Sequence, residues 1–266
     1  MNVTGKFGIV TGAASGIGRA IAVELAKNGA GLILADINED QLENVLSQGE
    51  SFGQKVIRCR VDVSDQKSVD EMVLSAIHNF DHIDFLVNCA GVIGHSDWGS
   101  RPYLNDQDWD LIHQVNVRGL MRVTDTVVHR MVQRNYGKIV NIASIAGRTG
   151  SVTNVAYATS KAAVINLTQG TASKYSQNNI NVNAVCPGLL WTPMWEKIAE
   201  SQRVISESRD IVTGRQIFDE HVKNRIPLGR EQTPEDVAYL VSFLVSDYSS
   251  NITGQAINVS GGSHFN

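Results

Sequence analysis

Seven short apolar runs limit what this chain can fold into: Lys6–Val10, Gly31–Ala35, Lys55–Val61, Phe85–Asn88, Lys138–Ile142, Ile180–Val185 and Gln255–Val259. Each is too short for an ordinary helix, and the stretches between them carry apolar residues at helical spacing. Ile21 and Leu25 show that spacing, as do Trp109, Ile112 and Val115. Strands that read as unbroken apolar runs are buried on both faces, and their alternation with helices predicts an α/β fold built on a parallel sheet. The expected helices cover about 17–30, 38–52, 66–80 and 105–134, then a helix carrying Tyr157 to about 177, and a last one to about 246. Thr233-Pro234-Glu235-Asp236 opens that last helix with a cap, a proline at the first position and an acidic first turn.

The rhythm breaks once, over about 190–226, where a long polar stretch predicts an excursion from the sheet. No linker, repeat or low-complexity segment divides the 266 residues, so a single domain spanning 1–266 is expected. A net charge of −4 with scattered basic residues gives no footprint for nucleic acid or an anionic membrane. The N-terminus runs into its first strand without a charged-then-apolar leader, and no apolar run has the length of a membrane span. A cytoplasmic location is therefore expected. Cys59, Cys89 and Cys186 lack metal or disulfide spacing and are expected to be reduced, buried small hydrophobes. His95, His113 and His129 are isolated, so no metal is expected.

Thr11-Gly12-Ala13-Ala14-Ser15-Gly16-Ile17-Gly18 joins the first strand to the first helix. Its three glycines allow a tight turn and close approach to a pyrophosphate, with the helix N-terminus supplying amides and a positive dipole end. Asp36 ends the second strand, where a carboxylate accepts hydrogen bonds from adenosine ribose hydroxyls and repels a 2′-phosphate. Neither Ser15 nor Ile37 supplies a basic side chain to offset that charge, which favours NAD over NADP. Asp62-Val63 and Asn88-Cys89-Ala90-Gly91 end the third and fourth strands, also at the ligand-binding edge of such sheets.

Tyr157 and Lys161 are four residues apart and share a helix face. A phenol has an unperturbed pKa of about 10, and a nearby ammonium favours the phenolate, so this pair suits proton transfer. Taken together, Thr11-Gly-x-x-x-Gly-Ile-Gly18, Asn88-Cys-Ala-Gly91, Asn116, Ser144, Tyr157-x-x-x-Lys161 and Pro187-Gly188 resemble, in order and spacing, the classical short-chain dehydrogenase/reductase family. The resemblance runs from the first strand to Gly261-Gly262, with Cys89 standing where the family more often has Asn. It implies a Rossmann-type doubly wound fold of about seven strands.

The resemblance also implies roles. Tyr157 would be general base or acid, Ser144 would hydrogen-bond the substrate oxygen, and Lys161 would depress the tyrosine pKa and hold the nicotinamide ribose. Asn116 would hold a water in a proton relay from Lys161. The implied cofactor set adds Gly12, Ser15, Gly16, Ile17, Gly18, Asp36, Asp62, Val63, Asn88, Ala90, Gly91, Pro187, Gly188, Leu190 and Thr192. Substrate contacts would come from Ser144, Ile145, Asn154, Tyr157, Leu189 and Trp195, with Gly94 and Arg148 as further lining. Arg148 has two readings, an anion partner or an exposed loop residue; Trp195 likewise touches substrate or only anchors a lid.

Met194-Trp195-Glu196-x-Ile198, within the expected lid of about 190–226, resembles acetoin reductases (2,3-butanediol dehydrogenases), and the segment also resembles sorbitol-type polyol dehydrogenases. The expected activity is NAD-dependent interconversion of a secondary alcohol and a ketone on a small polyol, diol or hydroxyketone. The alternatives are an NADPH-dependent 3-ketoacyl-type reductase and a catalytically silent dinucleotide sensor. Family members usually form tetramers through the regions near 105–134 and 155–177, so a homotetramer is implied.

Overall fold

The first apolar run forms β1 (Phe7–Thr11), which stops at the glycine turn and leads into α1 (Gly16–Lys27). The other six runs form β2 (Gly31–Asp36), β3 (Val56–Arg60), β4 (Phe85–Asn88), β5 (Gly137–Ile142), β6 (Ile180–Pro187) and β7 (Ala256–Val259). The structure, a computed structural model, describes residues 1–101, 103–151, 154–205 and 212–265. All seven strands pair in parallel in one sheet of order β3-β2-β1-β4-β5-β6-β7. The order reverses between β1 and β4, so the carboxyl ends of these strands open the crevice where such sheets bind ligands.

Side chains of β2 alternate between two cores, which is why the run reads as continuously apolar. Leu32 and Leu34 pack with Ile21 and Leu25 of α1 and with Val241 and Leu244 of α9 (Pro234–Val245). Ile33 and Ala35 pack on the other face with α3 (Gln66–Phe80) and α5 (Leu120–Arg134), through Met72, Val73, Val127 and Met131. Each such buried aliphatic side chain stabilises the fold by about 1.5–3 kcal/mol relative to exposure. α2 (Glu39–Ser51) covers the edge near β3, and Arg58 of that strand pairs with its Glu39 and Glu43. α6 (Val155–Tyr175) packs on β6 and carries Tyr157 and Lys161.

Two regions differ from the expectation. The helix expected over 105–134 is interrupted: α4 (Asp106–His113) gives way to one wide π-helical turn, Gln114–Gly119, before α5 resumes. Single π turns concentrate at functional sites, and this one contains Asn116. Hydrophobic periodicity reads as one helix because the buried positions Ile112, Asn116, Gly119, Val123 and Val127 keep helical spacing through the turn.

The segment after β6 is also more structured than its polarity suggests. It forms α7 (Pro193–Ile205) and α8 (Gly214–Arg225), while 206–211, part of the expected lid, lies outside the described residues. These helices share a small core of Phe218, Val222 and Ile226, against which Leu189, Trp191 and Trp195 pack. Trp195 meets Phe218 edge-on at 5.1 Å and His221 at 5.5 Å. The Arg215 guanidinium lies 5.3 Å from the Trp191 ring and 5.2 Å from Phe218.

The cysteines are free, but only Cys186 is fully buried; Cys59 and Cys89 are half-buried because they sit where an edge strand and a strand end meet loops. Among the described residues no helix is long and apolar enough to cross a membrane.

Candidate active site

The glycine turn folds against the end of β4. Gly12 has φ +67°, a left-handed conformation that glycine adopts without penalty, and a Cβ there would lie 2.8 Å from the Ala90 nitrogen. A Cβ at Gly18 would overlap the Gly12 carbonyl oxygen. Thr11 joins the two strand ends, its Oγ1 accepting N–H bonds from Cys89 at 3.1 Å and Ala90 at 3.2 Å. Ser15, at the start of α1, gives no side-chain cap, and the first turn holds no acid. The opening N–H groups of α1 therefore have no side-chain partner of their own, in contrast to α4, α8 and α9, each closed by a capping box. An uncapped, acid-free helix start behind a glycine turn suits a pyrophosphate.

Asp36 holds the outer side of this turn. Its Oδ2 accepts the Ala14 N–H and its Oδ1 the Asn38 N–H, both at 3.0 Å, so the carboxylate braces the loop with lone pairs left over. Its register partner on β3 is Arg60. In parallel strands paired residues project to the same face, about 4.8 Å apart. Arg60 is exposed, and so a basic neighbour that Ser15 and Ile37 do not supply stands on the adjacent strand. The signal for it lay in strand pairing and not in the neighbouring sequence.

Asp62 accepts the Ser64 N–H at 2.8 Å and Val63 is buried, its carbonyl receiving Arg122 Nη1 at 2.9 Å. Ala90 and Gly91 line the strand end, and a Cβ at Gly91 would sit 3.3 Å from Asn116 Oδ1 and 3.5 Å from Lys161 Nζ. The side chain of Asn88 turns inward. Its Nδ2 donates to Thr124 Oγ1 and Asn141 Oδ1, both at 2.9 Å, in a buried polar network that continues from Asn141 to Thr168.

The expected proton-transfer group does assemble. Ser144 ends the loop after β5, its Oγ accepting the Ala146 N–H at 3.1 Å. Tyr157 keeps part of its surface exposed, yet its hydroxyl lies deep enough that burial pushes its pKa up to about 12, with the nearby Ser144 hydroxyl working the other way. Lys161 Nζ donates to the Ile142 carbonyl at 2.8 Å and stands 5.6 Å from the Tyr157 ring centre. Burial lowers its pKa to about 8, against smaller opposing effects of Cys89 and Cys186. Burial thus outweighs the expected depression of the tyrosine by the lysine: in the protein alone, both groups are pushed toward their neutral forms.

Asn116 is held by protein through both of its side-chain N–H groups and once through its oxygen. Its Oδ1 accepts the Val92 N–H at 2.8 Å, and its Nδ2 donates to the Val92 carbonyl at 2.9 Å and to Ser160 Oγ at 3.0 Å. Ser160 in turn donates to the Tyr157 carbonyl at 2.7 Å. The side-chain amide has both N–H bonds committed, so it pins the loop after β4 to the Tyr157 helix and has no N–H left for a water.

The residues expected at substrate divide. Asn154 caps α6: its Oδ1 accepts the Tyr157 N–H at 2.8 Å and its Nδ2 donates to the Ile93 carbonyl at 3.0 Å. Ile145 is half-buried beside Ser144. Gly94 packs on Trp98 and Asp108. Leu189 and Trp195 lie in the α7–α8 core. Arg148 is not a free loop residue, for it donates to Asn258 Oδ1 at 3.2 Å and to the Ala256 carbonyl, tying this loop to β7. At the far side of the crevice, Pro187 is buried in β6, Leu190 is buried in the main core, and Thr192 lies 3.7 Å from a Cβ at Gly16. Gln232, which the sequence did not single out, bonds both polar backbone groups of Leu189.

Known proteins match nearly the whole chain. A family model described as enoyl-(acyl carrier protein) reductase matches residues 12–264. The chain is 37% identical to a 3-oxoacyl-(acyl-carrier-protein) reductase of Thermotoga maritima over 262 residues, covering 98% of this chain and 99% of the other. It is 35% identical over 260 residues to an (S)-acetoin-forming diacetyl reductase of Staphylococcus epidermidis, covering 97% and 98%. The structure of NAD+-bound xylitol dehydrogenase superposes with a TM-score of 0.88 at 32% identity, covering 98% of this chain and 100% of that one.

Proposed function

The chain belongs to the short-chain dehydrogenase/reductase family, an oxidoreductase family, and from that premise we propose that it interconverts a secondary alcohol and a ketone with NAD(H). The proposed substrate is a small polyol, diol or hydroxyketone. The Ser144–Tyr157–Lys161 cluster at the strand ends carries this reading.

In this reading the uncapped start of α1 with Gly12, Gly16 and Gly18 takes the pyrophosphate, and Asp36 takes the adenosine ribose. Asp62 and Val63 lie at the adenine, with Ala90, Gly91, Pro187, Gly188 and Thr192 along the rest of the cofactor. When bound, the nicotinamide supplies the hydride donor or acceptor. Tyr157 Oη gives a proton to the carbonyl oxygen in reduction, and at neutral pH its raised pKa keeps it in the protonated form that this needs. In oxidation the same atom takes the hydroxyl proton. Ser144 Oγ donates to the substrate oxygen and holds it in line with the phenol. Lys161 Nζ, fixed by the Ile142 carbonyl, supplies positive charge that stabilises the phenolate when Tyr157 has lost its proton. The stretch 190–226 acts as the substrate lid. The diacetyl reductase and xylitol dehydrogenase likenesses support a small polar substrate.

A second reading, an NADPH-dependent 3-oxoacyl-type reductase, draws on the 37% identity to a protein of that activity and on Arg60 beside Asp36. A cytoplasmic homotetramer belongs to the proposal under either reading. The deciding experiment follows NADH or NADPH formation over polyols, diols and hydroxy acids, and consumption over diketones and a 3-oxoacyl thioester. Turnover of diols or polyols with NAD supports the first reading. Reduction of the thioester with NADPH alone overturns it in favour of the second, and tight cofactor binding with no turnover of any class overturns both in favour of a silent sensor.

A further inference from the structure

Between α8 and α9 the chain crosses the end of β6, and Gln232 sits at that crossing with 6% exposure. Its backbone N–H donates to the Leu189 carbonyl at 3.3 Å, and its Oε1 accepts the Leu189 N–H at 3.1 Å. One residue therefore satisfies both polar groups of Leu189, alongside a parallel bridge between Leu190 and Gln232. Nε2 donates to the Arg230 carbonyl at 3.2 Å, which fixes the amide's orientation, since only this assignment gives each group a complementary partner. Room for the amide comes from two glycines: a Cβ at Gly188 would lie 2.5 Å from Oε1, and one at Gly261 would lie 2.7 Å from Nε2.

The neighbouring residue reaches the other way. Glu231 pairs with Arg215 Nη2 at 2.9 Å, and that guanidinium lies over Trp191 and Phe218. Arg230–Gln232 is thus joined at one residue to the strand end and at the next to the α7–α8 core. Leu189 to Thr192 run between these two anchors.

We propose that Gln232 is a positioning residue that fixes Pro187–Thr192 against the cofactor. The inference rests on the reading of Pro187–Thr192 as a cofactor-binding segment. A buried backbone N–H left without its acceptor is costly, and the Leu189 segment relieves that cost by moving toward water. Its displacement weakens cofactor binding and spoils the approach of hydride donor and acceptor, where small misplacements lower rates steeply.

The experiment compares Gln232→Leu, which fills the space without an acceptor, with Gln232→Glu, which keeps an oxygen for the Leu189 N–H. NADH and NADPH binding is read by nicotinamide fluorescence, without any substrate, and the deuterium isotope effect on kcat is read with whichever substrate turns over. Gln232→Leu is expected to weaken binding of the preferred cofactor by about tenfold and to raise the isotope effect, while Gln232→Glu stays within about threefold of the parent. Parent-like binding and an unchanged isotope effect in Gln232→Leu overturn the inference. Should Gln232→Leu fail to fold, Gln232→Asn, whose amide is too short to reach, is judged by the same readings. A parent protein that binds neither dinucleotide overturns the proposed function instead, so the two failures are distinguishable.

Discussion

The side-chain oxygen of Asn154 accepts the backbone N–H of Tyr157 at 2.8 Å, so the candidate proton donor is held by the cap of its own helix. The other end of the Asn154 amide donates to the Ile93 carbonyl, on the loop that follows β4. One side chain therefore sets Tyr157 relative to the strand end that lines the crevice. Asn154→Ala should lower stability by about 0.5–2 kcal/mol, the usual range for a lost cap, and should lower kcat as well. Asn154→Asp keeps the cap but not the donor, and should recover most of the stability. Denaturant melts of the three proteins check this; equal melts would mean that α6 starts without the cap's help.

Tyr157→Phe removes the only hydroxyl the proposed chemistry uses for proton transfer. Turnover should fall by about 10²–10⁴-fold while cofactor binding by fluorescence stays close to the parent. Because burial holds the phenol's pKa up to about 12, the oxidation rate in the parent should climb with pH between about 7 and 10, as the basic form becomes more accessible. A flat profile in oxidation would remove Tyr157 as the base.

Cofactor choice lies between Asp36 and its register partner Arg60. Asp36→Asn removes the charge and keeps an oxygen for one of the two backbone N–H groups. It should shift the ratio of kcat/KM toward NADP by about tenfold. Adding Arg60→Ala to that variant should reverse part of the gain, because a 2′-phosphate loses its nearby cation. An unchanged ratio in both variants would place the discrimination away from this strand pair.

Lys161 gives the folded state a distinctive pH response. Its pKa falls from 10.5 to about 8 on burial, so between those values the unfolded chain keeps a proton that the folded chain has released. Stability contributed through this group therefore rises with pH across that window and is flat below it. Unfolding free energies of the parent relative to Lys161→Met should rise from pH 8 to pH 10. No difference in slope would show that the lysine is solvated in the folded protein.

The sheet was legible because burial on both faces imposes unbroken apolar runs on its strands, and helical spacing between them fixes the alternation. The glycine turn and the Tyr157–Lys161 pair were legible for a related reason, since each depends on short-range spacing, whereas Ser144 entered only through the family resemblance. What escaped the sequence depends on partners far away in the chain. Arg60 meets Asp36 only through strand register, and Gln232 meets Leu189 across 43 residues. The inward turn of Asn88 and the cap made by Asn154 were not legible, because a polar residue at a strand or helix end looks alike whether it faces inward, caps a helix or faces a cofactor. The tie from Arg148 to β7 escaped because its partners lie more than a hundred residues away. The π turn at Asn116 left no trace in the apolar pattern.

The α7–α8 helices keep an apolar core of their own, apart from the three that contain strand residues. Phe218, Val222 and Ile226 give α7 and α8 an interior that contains no residue of β1 to β7. A region built that way behaves as a replaceable cassette. Under the proposed function, exchanging α7 and α8 with a relative's helices changes the substrate range while Tyr157 and Lys161 keep their own supports.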